Sequence, residues 1–378
     1  MTDCGLLDAD WVKIVRCLKR VRFLHVMQND KFSGPFIELV NEHFKDDGHM
    51  FVFHGGCTEA EFPIPVLDNV LVLRGQRQLL ILGLFVRAAR RVFFHSFLVH
   101  ATLAYLHRLR RRLHKAAWII WGADLYSDKA VMQTDYFRNK QAVVQNLGAL
   151  IVVAPGDFQI ACETYGFTGP GYYGLYRLPV NRSLLDGCPP RAAAGEIVVQ
   201  INNSCDASVL DTLEDLRRFS EQPLRIRTVL SYGDKSVQQR IIEAGRKYFG
   251  QKFVGITEFL PPEQYARLIT ESQILIMNQP RQQGLGNIYA FLYCGAKVYI
   301  RSDVTSWNFL QKRGFYIFDT LDLRRETFGS FTSFDADSAR RNRLAAGELL
   351  DDQYIAKLWG EIFAGRAPVV ASEASPRP

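Results

Sequence analysis

The chain has 378 residues, more than one ordinary hydrophobic core accommodates, so we expect two domains. Its hydrophobic content of 48% and charged content of 22% are typical of a soluble globular protein. The net charge of +7 favours an anionic partner: a nucleotide, a nucleic acid or an acidic membrane surface. No run approaches the roughly 20 apolar residues that a membrane-spanning helix needs, which excludes such a helix.

The seven cysteines show no Cys-x-x-Cys pair and no Cys/His spacing typical of a zinc site. This odd and unpatterned set predicts reduced thiols in a cytoplasmic compartment and no structural metal. The first residues include early acids and no cleavable apolar region, so we expect no secretion signal.

In chain order, the first half alternates apolar strands with helices, after a helical lead-in at residues 1–20. Strands are predicted at 21–26, 50–54, 91–95, 117–121 and 149–154, and helices at 35–44, 79–90, 98–113, 131–145 and from 155 onward. Continuous apolar strands that alternate with helices indicate a parallel sheet covered on both faces.

The same alternation restarts in the second half. Residues 176–181 predict a strand that leaves the first domain, and 186–195, rich in Pro, Gly and Ala, predict a linker. Further strands are predicted at 196–201, 225–230, 252–255, 274–277, 297–300 and 315–318, with helices at 208–219, 236–249, 261–270, 288–294 and 351–363.

The sequence therefore predicts an α/β protein in which two doubly wound, Rossmann-like domains face each other across a cleft. The expected order is an N-terminal domain, a linker, a C-terminal domain, a helix that packs back on the first domain, and a disordered tail. Their boundaries are 1–185, 186–195, 196–350, 351–365 and 366–378.

The segment from Pro280 to Asn287 joins a short apolar run to a helix in the second domain. Gly284 and Gly286 let the backbone approach a ligand, and the helix N-terminus offers N–H groups with a partial positive charge. Arg281 adds a planar cation suited to phosphate. These features predict a diphosphate site; the alternative is a tight turn with a solvated arginine, because a lone Gly-x-Gly motif is weak evidence.

Ligands of doubly wound sheets lie beyond the carboxyl ends of the strands, and this defines a candidate nucleotide-binding set. Within it, Tyr232 is suited to pack on a base, and Glu258 is placed to accept hydrogen bonds from a ribose. The complete set is Asn203, Ser204, Tyr232, Glu258, Arg281, Gln282, Gln283, Gly284, Leu285, Gly286 and Asn287.

Two strand-end residues of the first domain are candidate bases. Asp124 follows an apolar strand and is flanked by aromatic residues, which suits a group that holds a sugar or takes a proton. The alternative is that Asp124 caps the next turn. His95 ends another strand, but such a histidine is as often a hydrogen-bonded core residue, and His25 and His54 hold similar positions. Asp30, in the first loop, is a further candidate.

A basic run follows an apolar and aromatic helix at residues 97–106. Its cations are Arg108, Arg110, Arg111, Arg112 and Lys115. The combination predicts contact with an anionic membrane face. The alternative is a solvated helix end, and we expect no nucleic-acid partner because the chain has no nucleic-acid-binding motif.

Three short motifs, Phe93–His95, Trp121–Tyr126 and Arg281–Gly286, together resemble one family. They are similar to the bacterial 4-acetamido-4,6-dideoxy-D-galactose transferases of enterobacterial common antigen synthesis, glycosyltransferase family 56, over about residues 90–320. The resemblance implies a GT-B fold, a dTDP-linked deoxyamino sugar as donor and an undecaprenyl-diphosphate-linked saccharide as acceptor. It also implies a peripheral location on the cytoplasmic face of the inner membrane. The chain departs from the pattern at residues 202–204, where Asn-Asn-Ser replaces a Gly-Asn-Ser type of loop.

The sequence thus predicts a metal-independent glycosyltransferase without a cofactor, since the nucleotide sugar is a substrate. The domain at 196–350 is expected to bind the nucleotide sugar, and that at 1–185 the acceptor. Arg281 and the backbone of residues 284–287 would stabilise the leaving diphosphate, and Asp124 or His95 would position or deprotonate the acceptor hydroxyl. The alternatives are a nucleotide-sugar epimerase of the same fold and a non-catalytic nucleotide- or membrane-binding scaffold. The nucleotide base, the sugar and the anomeric outcome stay open.

Overall fold

The structure, a computed structural model, describes residues 8–54, 62–74, 77–97, 100–127, 132–189, 195–202, 204–366 and 370. The chain divides into two compact units. Unit 1 comprises Met1–Arg177 with Ile355–Pro378, and unit 2 comprises Leu178–Tyr354. Half of the predicted linker, residues 190–194, and nearly all of the predicted tail lie outside the described residues.

Unit 1 is built around a parallel seven-stranded sheet in its described part. The strands are β1 Phe23–Met27, β2 His49–Phe53, β3 Val70–Val72, β4 Arg91–His95, β5 Ala116–Ile120, β6 Ala149–Val152 and β7 Gly171–Tyr173. Their order is β3-β2-β1-β4-β5-β6-β7, so the winding direction reverses between β1 and β4. The connecting helices are α1 Asp8–Arg20, α2 Ser33–His43, α3 Gln78–Ala88, α4 His100–Leu109, α5 Ala123–Tyr126, α6 Asp135–Val144 and α7 Pro155–Tyr165.

The large hydrophobic cluster of unit 1 includes buried residues of α1, α3, α4 and α6 together with alternate strand residues, among them Val26, Val92 and Trp118. Because side chains alternate along a strand, these residues share one face of the sheet, and that face carries the four helices. Helix ends follow local capping chemistry: Thr134 accepts a hydrogen bond from the first turn of α6, and α7 starts at Pro155.

Three sequence predictions for unit 1 are wrong. Residues 176–181 form no strand, because the sheet already ends at β7. Strand β7 was not predicted, because three residues are too few to show a periodic pattern. The equally short β3 was missed for the same reason. The helix predicted at 98–113 ends at Leu109, and Arg110–Lys115 continue as a 3-10 helix.

Unit 2 holds a second parallel sheet, six-stranded in its described part. The strands are β8 Ile197–Ile201, β9 Leu224–Val229, β10 Phe253–Ile256, β11 Ile274–Met277, β12 Lys297–Ile300 and β13 Phe318–Asp319. Their order is β10-β9-β8-β11-β12-β13, and the winding reverses between β8 and β11. The helices are α8 Arg182–Asp186, α9 Ser208–Leu216, α10 Gln238–Phe249, α11 Pro262–Glu271, α12 Leu285–Tyr293, α13 Thr305–Lys312, α14 Phe328–Thr332 and α15 Ala336–Leu349.

Several boundaries in unit 2 differ from the sequence prediction. The helix predicted at 208–219 ends at Leu216 and continues as a 3-10 helix. Helix α12 begins at Leu285, so Leu285, Gly286 and Asn287 form its first turn and not a loop. The last strand is Phe318–Asp319, later than the predicted 315–318. Helices α13 to α15 were not predicted, and α15 is rich in Ala and Arg, which gives a weak apolar period.

The last helix, α16 Asp352–Ala364, belongs mainly to unit 1. Trp359 on α16 is fully buried, and its Nε1 donates to the carbonyl of Leu175 at 2.7 Å. Its ring packs against Phe36 of α2, and Phe363 packs against His49. Helices α2 and α16 therefore cover the second face of the unit 1 sheet.

Candidate functional site

The crevice of unit 2 opens where the winding reverses, at the carboxyl ends of β8 and β11. Buried Asn202 ties these two strand ends together: its Oδ1 accepts from the backbone N–H of Asn278 at 3.0 Å, and its Nδ2 donates to Ser208 at 3.2 Å. Asn202 has φ +51, a left-handed conformation that asparagine tolerates better than most residues. The resemblance described above leads one to expect a glycine at position 202, and these contacts give a structural reason for the asparagine.

The loop after β11 leads into the N-terminus of α12 at this crevice. Gly284 precedes the helix with φ +66, a conformation in which any Cβ is strained. The first turn, Leu285 to Asn287, has no intrahelical partners for its N–H groups, as at every helix start. Gln283 Nε2 donates to Ser204 Oγ at 2.6 Å, so the loops that follow β11 and β8 are joined. The structure brings this part of the predicted set together.

Gly286 has a packing role in addition to the predicted one. A Cβ at this position would come within 2.6 Å of the Leu178 side chain, so the missing side chain permits packing of α12 within unit 2. Of the two glycines, Gly284 is the one whose backbone conformation shapes the approach to the helix N-terminus.

Arg281 and Gln282 lie in the loop between β11 and α12. Arg281 is half-buried, and its guanidinium donates to the carbonyl of Gln282 at 3.2 Å. The Gln282 side chain is 3% exposed, and its Oε1 accepts no hydrogen bond within the described part of the chain. A buried amide oxygen without a donor carries a desolvation cost, and a ligand N–H or O–H would satisfy it.

A second polar group lies in the same unit and was largely missed by sequence reasoning. The Tyr265 hydroxyl makes side-chain hydrogen bonds with Gln200, at 3.3 Å, and with Asn287. Burial raises the pKa of Tyr265 well above its usual value, with a smaller contribution from Tyr232. Gln200 Oε1 is also buried and unpartnered among the described residues. Only the position of Tyr265, in the helix before β11, signalled this role in the sequence.

Two further members of the predicted set have different outcomes. Glu258 is exposed and follows β10, which is the edge strand two positions from β8. Asn203 lies outside the described residues. No group of three His, Cys, Asp or Glu side chains that could hold a metal ion occurs among the residues that the structure covers.

In unit 1, Asp124 is enclosed. It has no exposed surface, and both carboxylate oxygens accept hydrogen bonds from the protein itself. The donors are Trp118 Nε1 at 2.7 Å, the Trp121 N–H at 2.9 Å and the Phe97 N–H at 3.2 Å. The carboxylate therefore holds the segments that follow β4 and β5, and no oxygen is presented to a ligand in this structure.

His95 is enclosed as well, at one end of a row of histidines that crosses the sheet. Its Nδ1 lies 2.5 Å from the Tyr176 hydroxyl, and its Nε2 lies 3.0 Å from Nδ1 of His25. Nε2 of His25 in turn lies 3.0 Å from Nδ1 of His49. Burial lowers the pKa of His95 and of His49 to about 3, and that of His25 well below its ordinary value. These imidazoles are therefore neutral near pH 7.

The crevice of unit 1 lies between β1 and β4 and contains two residues of different character. Asp30 follows β1 and is half-buried; its Oδ1 accepts from the Phe32 N–H at 3.2 Å. Its charge contributes to the raised pKa of Tyr176, after burial and the nearby Asp124, so Asp30 lies within electrostatic range of that hydroxyl. Ser96 follows β4 with φ +73, and its buried Oγ has no partner within the described residues.

The basic run has a mixed environment. Arg108, Arg111 and Arg112 are exposed, whereas Arg110 donates to the His107 carbonyl at 2.9 Å. Lys115 donates to the carbonyls at the end of α3, those of Arg87 at 3.0 Å and Ala89 at 2.5 Å. The apolar residues of this stretch, Leu103, Leu106 and Leu113, are buried. The apolar side that favoured membrane contact in the sequence therefore faces the core.

Within the described part of the chain, no helix is long and apolar enough to cross a membrane. A family model described as 4-alpha-L-fucosyltransferase, glycosyl transferase group 56, matches residues 45–327, which is well over half of the chain. This chain belongs to glycosyl transferase family 56. The family-56 enzyme is therefore a glycosyltransferase, and its substrates are expected to be a nucleotide-sugar donor and an acceptor.

Solved structures with the same architecture share little sequence with this family-56 enzyme. The apo structure of OtsA has a TM-score of 0.65 at 10% identity and covers 92% of this chain and 100% of that one. Sucrose-phosphate synthase from Thermosynechococcus elongatus gives 0.63 at 12%, covering 91% and 98%. A putative UDP-N-acetylglucosamine 2-epimerase from Listeria monocytogenes gives 0.54 at 10%, covering 92% and 96%. These likenesses concern the fold alone, and the predicted GT-B fold is confirmed.

Proposed function

We propose that this family-56 enzyme transfers a 6-deoxyhexose from a nucleoside diphosphate, preferably dTDP, to a hydroxyl of an undecaprenyl-diphosphate-linked saccharide in cell-surface polysaccharide synthesis. A 6-deoxyhexose is common to the fucosyl group in the family's description and to the deoxyamino sugar that the sequence resemblance implies. The observation that carries the proposal is the crevice of unit 2, where Arg281 and the N-terminus of α12 follow β11.

The donor half of the reaction is assigned to unit 2. The bond between the sugar C1 and the diphosphate oxygen breaks, and the diphosphate leaves with the electron pair. Arg281 and the N–H groups of Leu285 to Asn287 stabilise this developing negative charge, which gives the positive helix end a catalytic use. Gln282 Oε1 accepts a hydrogen bond from the nucleoside, and Tyr232 packs on the base. Glu258 is retained as a ribose contact, and Ser204 as the support of Gln283.

The acceptor half is assigned to unit 1, with a change in the choice of base. The acceptor oxygen forms the new bond to C1, and its proton passes to Asp30, which is only half-buried at the crevice. Asp124 and His95 are enclosed, so they act by position: Asp124 through Trp121, and His95 through Tyr176. No metal ion is required in this scheme, because Arg281 and α12 supply the positive charge.

A transfer assay with a labelled nucleotide sugar tests the proposal. Incubation of the enzyme with the dTDP-sugar and a lipid-linked acceptor should move the label into the organic phase, with or without a chelator. A new nucleotide sugar formed without acceptor would instead identify an epimerase. Binding of dTDP in a thermal-shift panel without turnover on any acceptor would indicate a scaffold, and a preference for UDP or GDP would redirect the donor assignment.

A further inference from the structure

Exposed hydrophobic side chains are concentrated on one part of unit 1. Thirteen large hydrophobic residues are exposed in the described chain, and seven of them lie within residues 11–15, 66–67 and 80–84. The seven are Trp11, Val12, Val15, Val66, Leu67, Leu80 and Leu84. Val12 is 60% exposed and Leu80 63%, so these are side chains that the core of unit 1 does not use.

These residues form one surface, which we call the α1–α3 surface. Helices α1 and α3 contact each other, and both bury their other sides in the same core cluster, through Ile14 and Ile81 for example. The loop before β3 lies along α1, because Lys13 Nζ donates to the carbonyl of Leu67 at 3.0 Å. The outward sides of α1 and α3 therefore share one side of unit 1. Exposed apolar patches of this kind mark interaction sites.

The charge around this surface is strongly positive. Helix α1 and the stretches 77–91 and 107–115 contain thirteen Lys or Arg residues and two acids, Asp8 and Asp10 at the start of α1, although the whole chain has a net charge of only +7. Asp68 is an exposed acid in the neighbouring loop. Two copies of the chain that met through this surface would bring the two positive sets together, which opposes self-association and favours an anionic partner.

The apolar and basic residues also follow the direction of the helices. Helix α1 ends three residues before β1 starts, and α3 ends three residues before β4, so both C-termini lie at the amino edge of the sheet. The basic residues Lys19, Arg20 and Arg87 lie at these ends. Trp11 and Leu80 lie at the other ends, toward the carboxyl edge where Asp30 follows β1.

We propose that the α1–α3 surface docks unit 1 on an anionic phospholipid bilayer. The apolar residues enter the interface, and the surrounding cations face headgroup phosphates, which is the composition of interfacial helices. Arg108, Arg111 and Arg112 extend the cationic border, whereas Lys115 is held by the end of α3. The inference rests on the proposed function in one respect: a lipid-linked acceptor lies in such a bilayer.

Two double variants test whether vesicle binding depends on the α1–α3 surface or on exposed apolar residues in general. L80Q/L84Q removes exposed apolar residues of α3, and V254Q/L344Q removes exposed apolar residues of unit 2 as the matched control. The wild type should sediment with vesicles of phosphatidylethanolamine and phosphatidylglycerol, and less with phosphatidylcholine or at high salt. L80Q/L84Q should bind roughly tenfold more weakly or worse, and V254Q/L344Q should bind like the wild type. Equal binding by both variants would overturn the proposal, as would a wild-type dimer that L80Q/L84Q dissociates in light scattering.

A pair of acceptors distinguishes failure of docking from failure of the proposed function. On a water-soluble, short-chain acceptor L80Q/L84Q should turn over like the wild type, and on a long-chain acceptor in anionic vesicles it should lose activity about as much as binding. Transfer to the soluble acceptor by an enzyme that binds no vesicles refutes docking alone. Binding to vesicles through α3, without transfer to either acceptor, leaves docking intact and refutes the proposed function.

Discussion

Replacement of Asp124 by asparagine, compared with the same change at Asp30, tests which carboxylate takes the proton. In Asp124→Asn the side chain keeps one oxygen, which can serve the two donors that now bond to Oδ2, Trp118 Nε1 and the Phe97 N–H. The new NH2 group then faces the Trp121 N–H, and because both are donors this hydrogen bond is lost. Residue 30 is only half-buried, so the new amide in Asp30→Asn can turn toward water.

The magnitudes follow from these contacts. A hydrogen bond to a charged acceptor contributes about 1.5–3 kcal/mol, and a buried donor left unmatched costs a similar amount, so Asp124→Asn should destabilise unit 1 by about 3 kcal/mol. For a unit of this size that corresponds to roughly 6–12 °C in Tm. Asp30→Asn should leave Tm within about 2 °C and lower turnover by about two to four orders of magnitude, as expected for loss of a general base.

The assay pairs calorimetry with the transfer rate measured well below each variant's Tm. If Asp124→Asn keeps the wild-type Tm and loses turnover, while Asp30→Asn stays active, the structural role of Asp124 is refuted and the base is Asp124. A loss of stability confined to Asp124→Asn, with a loss of turnover confined to Asp30→Asn, supports the assignment made from burial.

Three more outcomes follow from the structure. Arg281→Ala should lower turnover by about two to three orders of magnitude with little change in Tm, as expected for loss of one stabiliser of the leaving diphosphate; near-normal turnover would remove it from the mechanism. Gly284→Ala should lower the free energy of unfolding by about 1–2 kcal/mol, because residue 284 has a left-handed backbone, and it should weaken nucleotide binding. Gly286→Ala should have smaller effects, because its Cβ meets only the flexible Leu178 side chain. Calorimetry and titration with dTDP compare the two variants, and equal effects would contradict this. The buried His95 and His49 bind fewer protons in the folded chain than in the unfolded chain, because burial lowers their pKa. The free energy of unfolding should therefore fall as the pH drops from about 6.5 toward 3, by about 1.4 kcal/mol per pH unit for each histidine that is charged when unfolded and neutral when folded. Urea unfolding at pH 7 and pH 5 measures this fall, and His95→Gln should make it smaller.

The fold was predictable from local pattern, and the site was predictable only in part. Apolar strands such as β11 and helix-start signals such as Pro262 are properties of neighbouring residues, which periodicity and capping rules detect. The enclosure of Asp124 depends on Trp118 and Phe97, which meet only when β4 and β5 pair. The sequence shows only the aromatic residues that flank Asp124 along the chain, Trp118 among them, and these suit a sugar-holding group as well as a structural one.

The two non-glycine residues with positive φ in the described chain locate the crevices independently of any motif. Ser96 follows β4 and Asn202 follows β8, and each strand borders the point in its own unit where the winding reverses. Residues are held in rare backbone conformations where the surrounding structure requires a particular course of the chain, and such places are frequent at functional sites. The same two crevices contain Asp30 and the loop of Arg281. Strand ends away from the reversal, such as that of β5 with Asp124, are used to fix the loops that border it. This distribution supports the proposed roles of Asp30 in unit 1 and of Arg281 in unit 2, each at the crevice of its own unit.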